Sequence, residues 1–298
     1  MISADDLTVF LEVSRRGRLV EAAKHLQINH TTVSRHIARL ERAVGQRLFD
    51  RHSDGWTVTP AGAQLLVHAE GVEASLIAAR EECFSQGSKL SGRVRVIAPD
   101  GFATYLLLPG LAGLHDAHPN LIIEIATANR HATLTPREFD VAITIEQPHA
   151  RAVELRKLTD YTMSFYAAPN YLDSHDPVVT PDDMYAHRLI WYLDEALDVS
   201  TYNLLYDVLP QARPQIQTNN IAGQIEAAKA GLGIALLPSF IGDRIPGLRR
   251  VPVAPKTTRS YWLSVPRDLR RLARVRVLCE HIDILVARNR DAFFLSAG

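Results

Sequence analysis

The hydrophobic and polar positions of residues 19–51 predict two short helices joined by a tight turn. In the second helix, apolar residues recur at helical spacing and fall within roughly 60° of arc; they are Val33, Ile37, Leu40 and Val44. The opposite side and its flanks carry hydroxyl, guanidinium and imidazole groups, on Thr31, Ser34, Arg35, His36, Arg39 and Arg42. Such a side fits a major groove of about 12 Å, where Arg contacts guanine or phosphate and hydroxyls contact phosphates or bases. The pattern therefore indicates either a DNA recognition helix or an ordinary solvated surface.

The residues around this helix favour DNA binding. Asn29 is suited to cap the helix, and small or apolar residues before it allow a close helix crossing; those residues are Ala22, Ala23, Leu26 and Ile28. Upstream, Ser3 followed by Asp6 has the spacing of a capping box and predicts the start of a first helix. Downstream, residues 48–49 and 56–59 predict a short strand pair around a turn, which is a wing.

Residues 61–87 have the pattern of one long helix. Its apolar residues alternate spacings of four and three, which is the seam of a coiled coil; they are Leu65, Ala69, Val72, Leu76, Ala79 and Cys83. The seam packs either on its own domain or against a second copy of the chain, and the few apolar residues on the other faces favour the second copy. A dimer also suits DNA binding, because two recognition helices then read a two-fold symmetric site. The small polar residues that follow predict a linker, with a hinge at 88–92.

From residue 93 onward, strand-like and helical patterns alternate, which predicts an α/β fold with mainly parallel sheets. The predicted strands are 94–98, 122–127, 140–145, 163–167, 189–193, 215–218, 234–237 and 261–265. The clearest predicted helices are 102–117, 223–230 and 270–287. Open sheets of this class bind ligands at the carboxyl ends of strands, often against helix N-termini. Two such ends are found at 99–104 and at 218–220.

Composition narrows the classes of function. The chain of 298 residues is long enough for two domains, and its formal net charge of +0 gives no long-range attraction to DNA from the whole molecule. The charge is local instead, since residues 30–51 contain five Arg against Glu41 and Asp50, a net +3. Cys83 and Cys279 are expected to be buried structural thiols, with a redox sensor as the alternative. The chain has no basic-then-apolar signal region and no run of about 18 apolar residues, so we expect a cytoplasmic protein that does not span a membrane.

No enzymatic site stands out. Gly231 and Gly233 lack a third glycine and precede a strand, so they are not a dinucleotide-binding fingerprint. No nucleophile-elbow, zinc-protease or phosphate-loop motif occurs. His115 and His118 have a spacing that a metal site can use, but surface histidines at a helix end explain it more simply. We therefore expect no catalytic residue, no metal and no cofactor.

The residues from 22 to 62 match a known family at unbroken spacing. The run A-A-x-x-L-x-x-x-x-x-x-V-S-R-x-I-x-x-L-E-x-x-x-G-x-x-L-F-x-R, followed by V-T-P-A-G, resembles the N-terminal winged helix-turn-helix domain of LysR-type transcriptional regulators. The matching residues are Ala22, Ala23, Leu26, Val33, Ser34, Arg35, Ile37, Leu40, Glu41, Gly45, Leu48, Phe49, Arg51, Thr59, Pro60 and Gly62. Departures from the family pattern are Arg18 for a capping serine, His30-Thr31 for Gln-Pro, and Asp54 for a wing arginine.

The C-terminal part resembles the effector-binding half of the same family, through Leu108-Pro109, residues 118–120, residues 139–143 and residues 231–238. The resemblance implies two α/β subdomains similar to periplasmic binding proteins, crossed twice by the chain near 161–167 and 263–268. The implied organisation is a winged helix-turn-helix domain at 1–60, a linker or dimerisation helix at 61–87, a hinge at 88–92 and an effector-binding domain at 93–298. Subdomain I then takes about 93–162 and 267–298, and subdomain II about 163–266.

The resemblance also implies a cleft between the strand ends that receives a small molecule, frequently an organic acid. The residues expected to bind this effector are Asp100, Gly101, Phe102, Thr104, Asn129, Arg130, Tyr192, Thr218, Asn219 and Asn220. Asp100 stabilises a helix start but repels an anionic ligand unless Arg130 compensates, so the charge of the effector stays open. Asn220 either faces the ligand or caps its own helix.

The sequence therefore predicts a sequence-specific DNA-binding regulator whose DNA binding or bending responds to a small molecule, and not an enzyme. The residues expected to contact double-stranded DNA are His30, Thr31, Thr32, Ser34, Arg35, His36, Arg39 and Arg51. The seam is expected to pair two protomers, and the resemblance implies a tetramer. The alternatives are a regulator with a closed, ligand-independent C-terminal domain, and a cytoplasmic solute-binding module.

Overall fold

The structure is a computed structural model that describes residues 1–52, 55–84, 90–127, 139–145, 147–148, 153–193, 204–253 and 258–294. The chain forms two compact units, which are Met1–Ser88 with Arg271–Ala273, and Lys89–Arg270 with Arg274–Gly298.

The first unit is built from helices around a two-stranded antiparallel sheet. Its elements are α1 (Ala4–Arg16), α2 (Leu19–Leu26), α3 (His30–Val44), β1 (Phe49–Arg51), β2 (Trp56–Val58) and α4 (Pro60–Phe84). The predicted caps are confirmed, because Ser3 accepts a hydrogen bond from the Asp6 amide at 3.2 Å and Asn29 accepts one from the Thr31 amide at 2.9 Å. The predicted strand pair is confirmed as well, with Arg51 opposite Trp56. Ser53 and Asp54 of the predicted turn lie outside the described residues.

The apolar stripe of α3 is the centre of this unit's core. Val33, Ile37 and Leu40 are fully buried, and they share the core with Phe10 of α1. The ring of Phe49 packs 5.2 Å from that of Phe10, which joins the strand pair to the helices. The predicted helix 30–44 and its core face are therefore confirmed.

The first turns of α4 belong to the same core. Ala69 is fully buried there and Leu65 packs against the cluster, so these two residues are not available as seam residues toward a second copy. The sequence interpretation assigned them to pairing because it saw the spacing but not the neighbouring helix α1. Val72, Leu76 and Ala79, further along α4, are exposed. The side chain of Cys83 lies outside the described part of the chain.

The second unit contains a large mixed sheet with helices packed on it. Its described strands are β3 (Ser91–Ala98), β4 (Asn120–Thr127), β5 (Val141–Thr144), β6 (Val153–Ala167), β7 (Leu189–Tyr192), β8 (Ile216–Thr218), β9 (Ile234–Pro238), β10 (Arg249–Arg250) and β11 (Thr258–Pro266). Its described helices are α5 (Asp100–Phe102), α6 (Leu108–Gly110), α7 (Ala112–Ala117), α8 (Pro169–Asp173), α9 (Leu204–Val208), α10 (Ile221–Lys229), α11 (Ser239–Gly242), α12 (Ala273–Arg288) and α13 (Arg290–Phe293), with a 3₁₀ helix at Pro181–Ala186. The strand order is β4-β3-β5-β11-β6-β9-β7-β8, and β10 pairs with β6.

The sheet is parallel at its two ends and antiparallel in the middle. Strand β3 runs parallel to β4 and β5, and β7 runs parallel to β8 and β9. The long strands β6 and β11 instead pair antiparallel with each other and with their neighbours β9 and β5. The expectation of mainly parallel sheets is therefore wrong for the centre, where β6 and β11 join the two halves.

Three predicted boundaries also differ. Ser91 and Gly92 belong to β3 and not to a hinge, because both pair with β4. The second crossing between halves lies earlier than 263–268, because Leu263 is already opposite Ile143 of β5. The predicted helix 102–117 is interrupted, since Pro109 has no N–H to donate and the Leu108 amide bonds to the Ala103 carbonyl in a π-helical turn at Ala103–Leu107.

Gly62 is the point at which α4 meets the strand pair, and it provides a test of this packing. A Cβ at Gly62 would lie against the Leu48 carbonyl oxygen and 2.7 Å from Val58 Cγ1. We expect Gly62→Ala to lower the free energy of unfolding by about 1–3 kcal/mol through overpacking, measured by urea unfolding. Gly113→Ala is the control, because a Cβ there meets no atom within 4 Å. Equal stability of the two variants would contradict the packing described for Gly62.

Candidate nucleic-acid interface and ligand cavity

The outward side of α3 begins with a run of polar residues after the Asn29 cap. His30, Thr31 and Arg35 are exposed, and Thr32 and Ser34 are partly buried. Arg35 makes no hydrogen bond or ion pair with another described residue, so its guanidinium is available to a partner. The buried stripe on the other side holds this surface outward.

His36 and Arg39 are turned differently from the expectation. Both were expected to face DNA, but both contact Asp6 of α1, whose side chain is 1% exposed. Arg39 Nε lies 2.8 Å from Asp6 Oδ2, and His36 Nδ1 lies 2.7 Å from Asp6 Oδ1. His36 is largely covered as a result, whereas Arg39 keeps about half of its side chain exposed. The sequence interpretation missed this because a partner 30 residues away leaves no mark on the helical pattern.

The environment of Asp6 stabilises its charged form. Burial opposes ionisation, but hydrogen bonds from Arg39, Ser3 and His36 outweigh burial and lower the pKa of the Asp6 carboxyl to about 2. A charge-assisted contact of this kind fixes the direction of Arg39 more firmly than a neutral one. Asp6 is thus a positioning residue for the middle of α3.

Arg51 is held at the base of the wing. Its guanidinium lies 4.4 Å from the Trp56 ring centroid, and Nη2 donates to Glu41 Oε2 at 3.1 Å. Glu41 also accepts from the Leu48 amide at 2.9 Å, which fixes the start of β1 against α3. Arg51 is half exposed, so it combines a fixed position with access to solvent.

The second unit contains a cavity between the two halves of its sheet. Its volume, counted as the space that the centres of water molecules can occupy, is about 40 Å³. This is room for a few waters or one small ring. The lining is mainly apolar and aromatic, and consists of Pro99, Asp100, Gly101, Ile145, Tyr161, Met163, Trp191, Tyr192, Ile221, Leu236, Pro238, Arg259 and Tyr261. Such a lining with a few polar groups is typical of a small-molecule site.

Asp100 joins the two predicted strand ends. Its Oδ2 accepts from the Ile221 amide of α10 at 2.5 Å, and its Oδ1 accepts from the Gly101 amide at 2.8 Å. The Tyr192 hydroxyl donates to Oδ1 at 3.3 Å. The strand ends at 99–104 and 218–220 therefore do meet, as the topology predicts.

Two buried donors in the cavity wall have no hydrogen-bond partner among the described residues. They are Nε1 of Trp191 and Nε of Arg259. The guanidinium of Arg259 is otherwise engaged, since Nη2 lies 3.1 Å from Asp207 Oδ2. An unpaired buried N–H is costly, so each of these groups is suited to a ligand acceptor.

The residues expected to bind an effector lie in several places. Asp100, Gly101 and Tyr192 line the cavity, whereas Phe102 packs behind it, with its ring 4.9 Å from that of Tyr261. Thr104 is exposed. The remaining expected residues do not line the cavity or are not described; they are Thr218, Asn219 and Asn220 at the α10 start, and Asn129 and Arg130 outside the described residues.

Asn220 caps its own helix, because its side chain accepts from the Gly223 amide at 2.7 Å. The sequence interpretation missed Tyr161, Met163, Arg259 and Tyr261 as lining residues. They come from the two long strands β6 and β11, which carry no local sign of which residues face a cavity.

Cys279 is a partly buried thiol in the structure, so the expectation of a buried thiol is met only in part. Burial raises the pKa of the Cys279 thiol to about 11, which keeps it protonated and unreactive at neutral pH. Among the described helices, none is both long enough and apolar enough to cross a membrane.

Comparisons with known proteins cover nearly all of the chain. A family model described as "LysR substrate binding domain" matches residues 87–284, and one described as "Bacterial regulatory helix-turn-helix protein, lysR family" matches residues 4–63. An HTH-type transcriptional regulator of Haemophilus influenzae is 27% identical over 80% of this chain and 83% of its own length.

Solved structures show the same fold. A full-length OxyR variant from Pseudomonas aeruginosa superposes with a TM-score of 0.74 at 18% identity, covering 95% of this chain and 98% of that one. Full-length CbnR in complex with its target DNA has a TM-score of 0.57 at 16% identity, covering 95% of this chain and 99% of that one.

The contact between Asp6 and α3 gives a pH-dependent prediction. The folded pKa of Asp6 lies below its unfolded value near 3.9, so its contribution to stability is present above that value and is lost as pH falls from about 4 to 2. We expect Asp6→Asn to lower the free energy of unfolding by about 1.5–3 kcal/mol at pH 6, and the difference from the parent chain to shrink at pH 3. Urea unfolding at both pH values measures this.

Asp5→Asn is the matched control, because it removes an exposed carboxylate from the same turn. If Asp6→Asn and Asp5→Asn were equally stable at pH 6, Asp6 would not hold α3 in the way described.

Proposed function

The chain belongs to the LysR family of DNA-binding transcriptional regulators, and we propose that the N-terminal half of α3 reads its DNA site. The observation that carries this proposal is the orientation of α3. Its apolar stripe is buried in the core, and Arg35 projects on the other side with no partner among the described residues. A guanidinium in this position is suited to a guanine edge in the major groove.

The remaining polar residues of this surface have different roles in the proposal. His30, Thr31, Thr32 and Ser34 are near the start of the helix, which is the part of a recognition helix that meets base edges. Arg39 and Arg51 are held by Asp6 and Glu41, respectively. We therefore assign them to DNA phosphates, because phosphate contacts fix the orientation of the protein on the duplex and do not require the side chain to extend to a base.

The net charge of +3 over residues 30–51 supports the same surface. Each phosphate contact releases counterions, so binding weakens steeply as salt increases. His36 is left out of the contact set, because Asp6 covers it.

We propose further that two chains pair through the exposed part of α4. Leu76 is 51% exposed and Val72 is 37% exposed, on the side of the helix that carries the predicted seam. Two copies of this stripe bury each other in a dimer, and a tetramer, as the family resemblance implies, requires a second interface. The place of action in this proposal is the cytoplasm, where bacterial DNA lies.

The cavity of the second unit is the proposed effector site. It lies between the two halves of the sheet, and the Asp100–Ile221 hydrogen bond spans them. A ligand that binds there changes the distance between the halves, and such a change is what a regulator transmits. The alternative is a closed, ligand-independent domain, with which the small cavity and the hydrogen-bonded Asp100 are also consistent.

Arg35→Ala tests the DNA-reading proposal. We expect the variant to bind a site selected from a random duplex library about 5- to 150-fold more weakly, on the order of 1–3 kcal/mol, and to lose preference at one base pair. Fluorescence anisotropy with the selected site and its single-base variants measures both effects.

Arg276→Ala, an exposed arginine of α12, is the control and should leave binding unchanged. Unaltered affinity and base preference in Arg35→Ala would remove Arg35 from the reading role.

Leu76→Glu tests the pairing proposal. A carboxylate in the stripe of a two-chain seam is buried without a partner, so we expect the variant to sediment as a smaller species than the parent chain at micromolar concentration. Val67→Glu is the control, because Val67 is 50% exposed on another side of the same helix. If both variants kept the parent's mass in sedimentation, pairing through this stripe would be wrong.

A further inference from the structure

The cavity of the second unit contains an anion supplied by the chain itself. Helix α10 (Ile221–Lys229) begins at the cavity, and the free N–H groups at a helix start attract negative charge. The carboxylate of Asp100 occupies this position, where Oδ2 accepts from the Ile221 amide at 2.5 Å. An external carboxylate directed at the same amide meets a charge of the same sign.

The Asp100 carboxylate is also held by other donors. Oδ1 accepts from the Gly101 amide at 2.8 Å and from the Tyr192 hydroxyl at 3.3 Å, and the residue is 8% exposed. Both carboxylate oxygens are therefore hydrogen-bonded, so the side chain is not poised to leave. A ligand anion gains little by competing with a tethered one.

The guanidinium of Arg259, in the described part of the lining, is similarly engaged. Arg259 is paired with Asp207 through Nη2 at 3.1 Å. Asp207 itself lies outside the described lining of the cavity. A guanidinium that is already paired with a carboxylate attracts a ligand anion less than an unpaired guanidinium does.

The rest of the cavity is suited to a flat, uncharged molecule. The rings of Tyr161 and Tyr261 stack with centroids 4.3 Å apart at one wall, and Met163 and Leu236 add apolar surface. Nε1 of Trp191 is buried and unpaired in the described structure, and the residue is 1% exposed. This N–H requires an acceptor, which water or a ligand oxygen supplies.

We propose that the ligand of this cavity is an uncharged, planar small molecule with a hydrogen-bond acceptor, and that Asp100 excludes carboxylic acids. The acceptor takes the hydrogen bond from Trp191 Nε1, and the ring lies on the tyrosine wall. This inference depends on the proposed function in one respect, namely that this cavity is the effector site. It names the ligand class, which the family resemblance left open.

Matched amide and acid pairs of one-ring compounds test the proposal on the unmodified chain. The probes are benzamide and benzoate, nicotinamide and nicotinate, and phenylacetamide and phenylacetate. We expect at least one amide to raise the melting temperature and to quench tryptophan fluorescence, and to bind at least about tenfold more tightly than its acid. Tighter binding by the acids, or no binding by any amide at millimolar concentration, overturns the proposal.

Asp100→Ser tests the cause of the selectivity. Serine removes the charge and shortens the side chain, which leaves the Ile221 amide open to an external carboxylate. We expect benzoate to bind this variant at least about tenfold more tightly than it binds the parent chain. Asp116→Ser is the control, since it removes an exposed carboxylate of α7 and should leave benzoate binding as weak as in the parent.

Asp100→Asn provides a second variant that keeps the volume of the side chain and one acceptor for the Ile221 amide. It should also relax the exclusion of acids if charge is the cause, and unchanged discrimination in both variants overturns the role of Asp100. DNA binding is measured on the same samples. If the parent chain binds DNA but does not prefer the amides, the ligand class alone is refuted. If the parent chain does not bind DNA, the proposed function is refuted.

Discussion

The constraint on which the DNA-binding unit depends is the complete burial of one side of α3. Val33, Ile37 and Leu40 are each fully buried, so the helix cannot rotate about its axis without exposing apolar surface. Burying such a side chain contributes about 1.5–3 kcal/mol, which makes a rotated helix costly. The direction of Arg35 is therefore set by residues that never meet DNA. The contact from Asp6 to Arg39 then fixes the same helix a second time, through charge.

A comparable constraint operates in the second unit through β6 and β11. These long strands pair with each other from Val153 to Thr162, and each then continues its pairing with a different half of the sheet. The cavity lies beside this junction, and Tyr161 and Tyr261 come from the two strands. The hydrogen bond from Ile221 to Asp100 closes the other side. A molecule that enters must fit between an antiparallel strand pair and one tethered carboxylate, so both the small volume and the chemistry of the walls select it.

Local periodicity was enough to predict the elements, because burial on one side leaves a repeat in the sequence. Helix α3, its Asn29 cap and strands β7 and β9 are examples, whereas residues 153–162 of β6 were not predicted as a strand. Partners that are distant in sequence were not predictable in this way. The spacing of Asp6 from Ser3 in the sequence predicted a capping role for Asp6. Its contacts with His36 and Arg39 were not predicted, because they depend on how α1 crosses α3. Which residues line the cavity depends likewise on strand pairing in the folded sheet.

The two roles of α4 show how one periodic pattern can serve two interfaces. Ala69 completes the core of the DNA-binding unit, and Leu76, two turns later on the same side, is exposed. Arg15 of α1 binds Glu73 between them, with Nη2 at 2.6 Å from Oε2, so α4 contacts α1 as far as Glu73. In the proposed dimer, the contact between chains is thus joined to each recognition helix by a continuous helix and not by a flexible link. The separation of the two recognition helices then follows from how the two copies of α4 cross, which is why a change at the seam alters DNA spacing without touching a DNA contact.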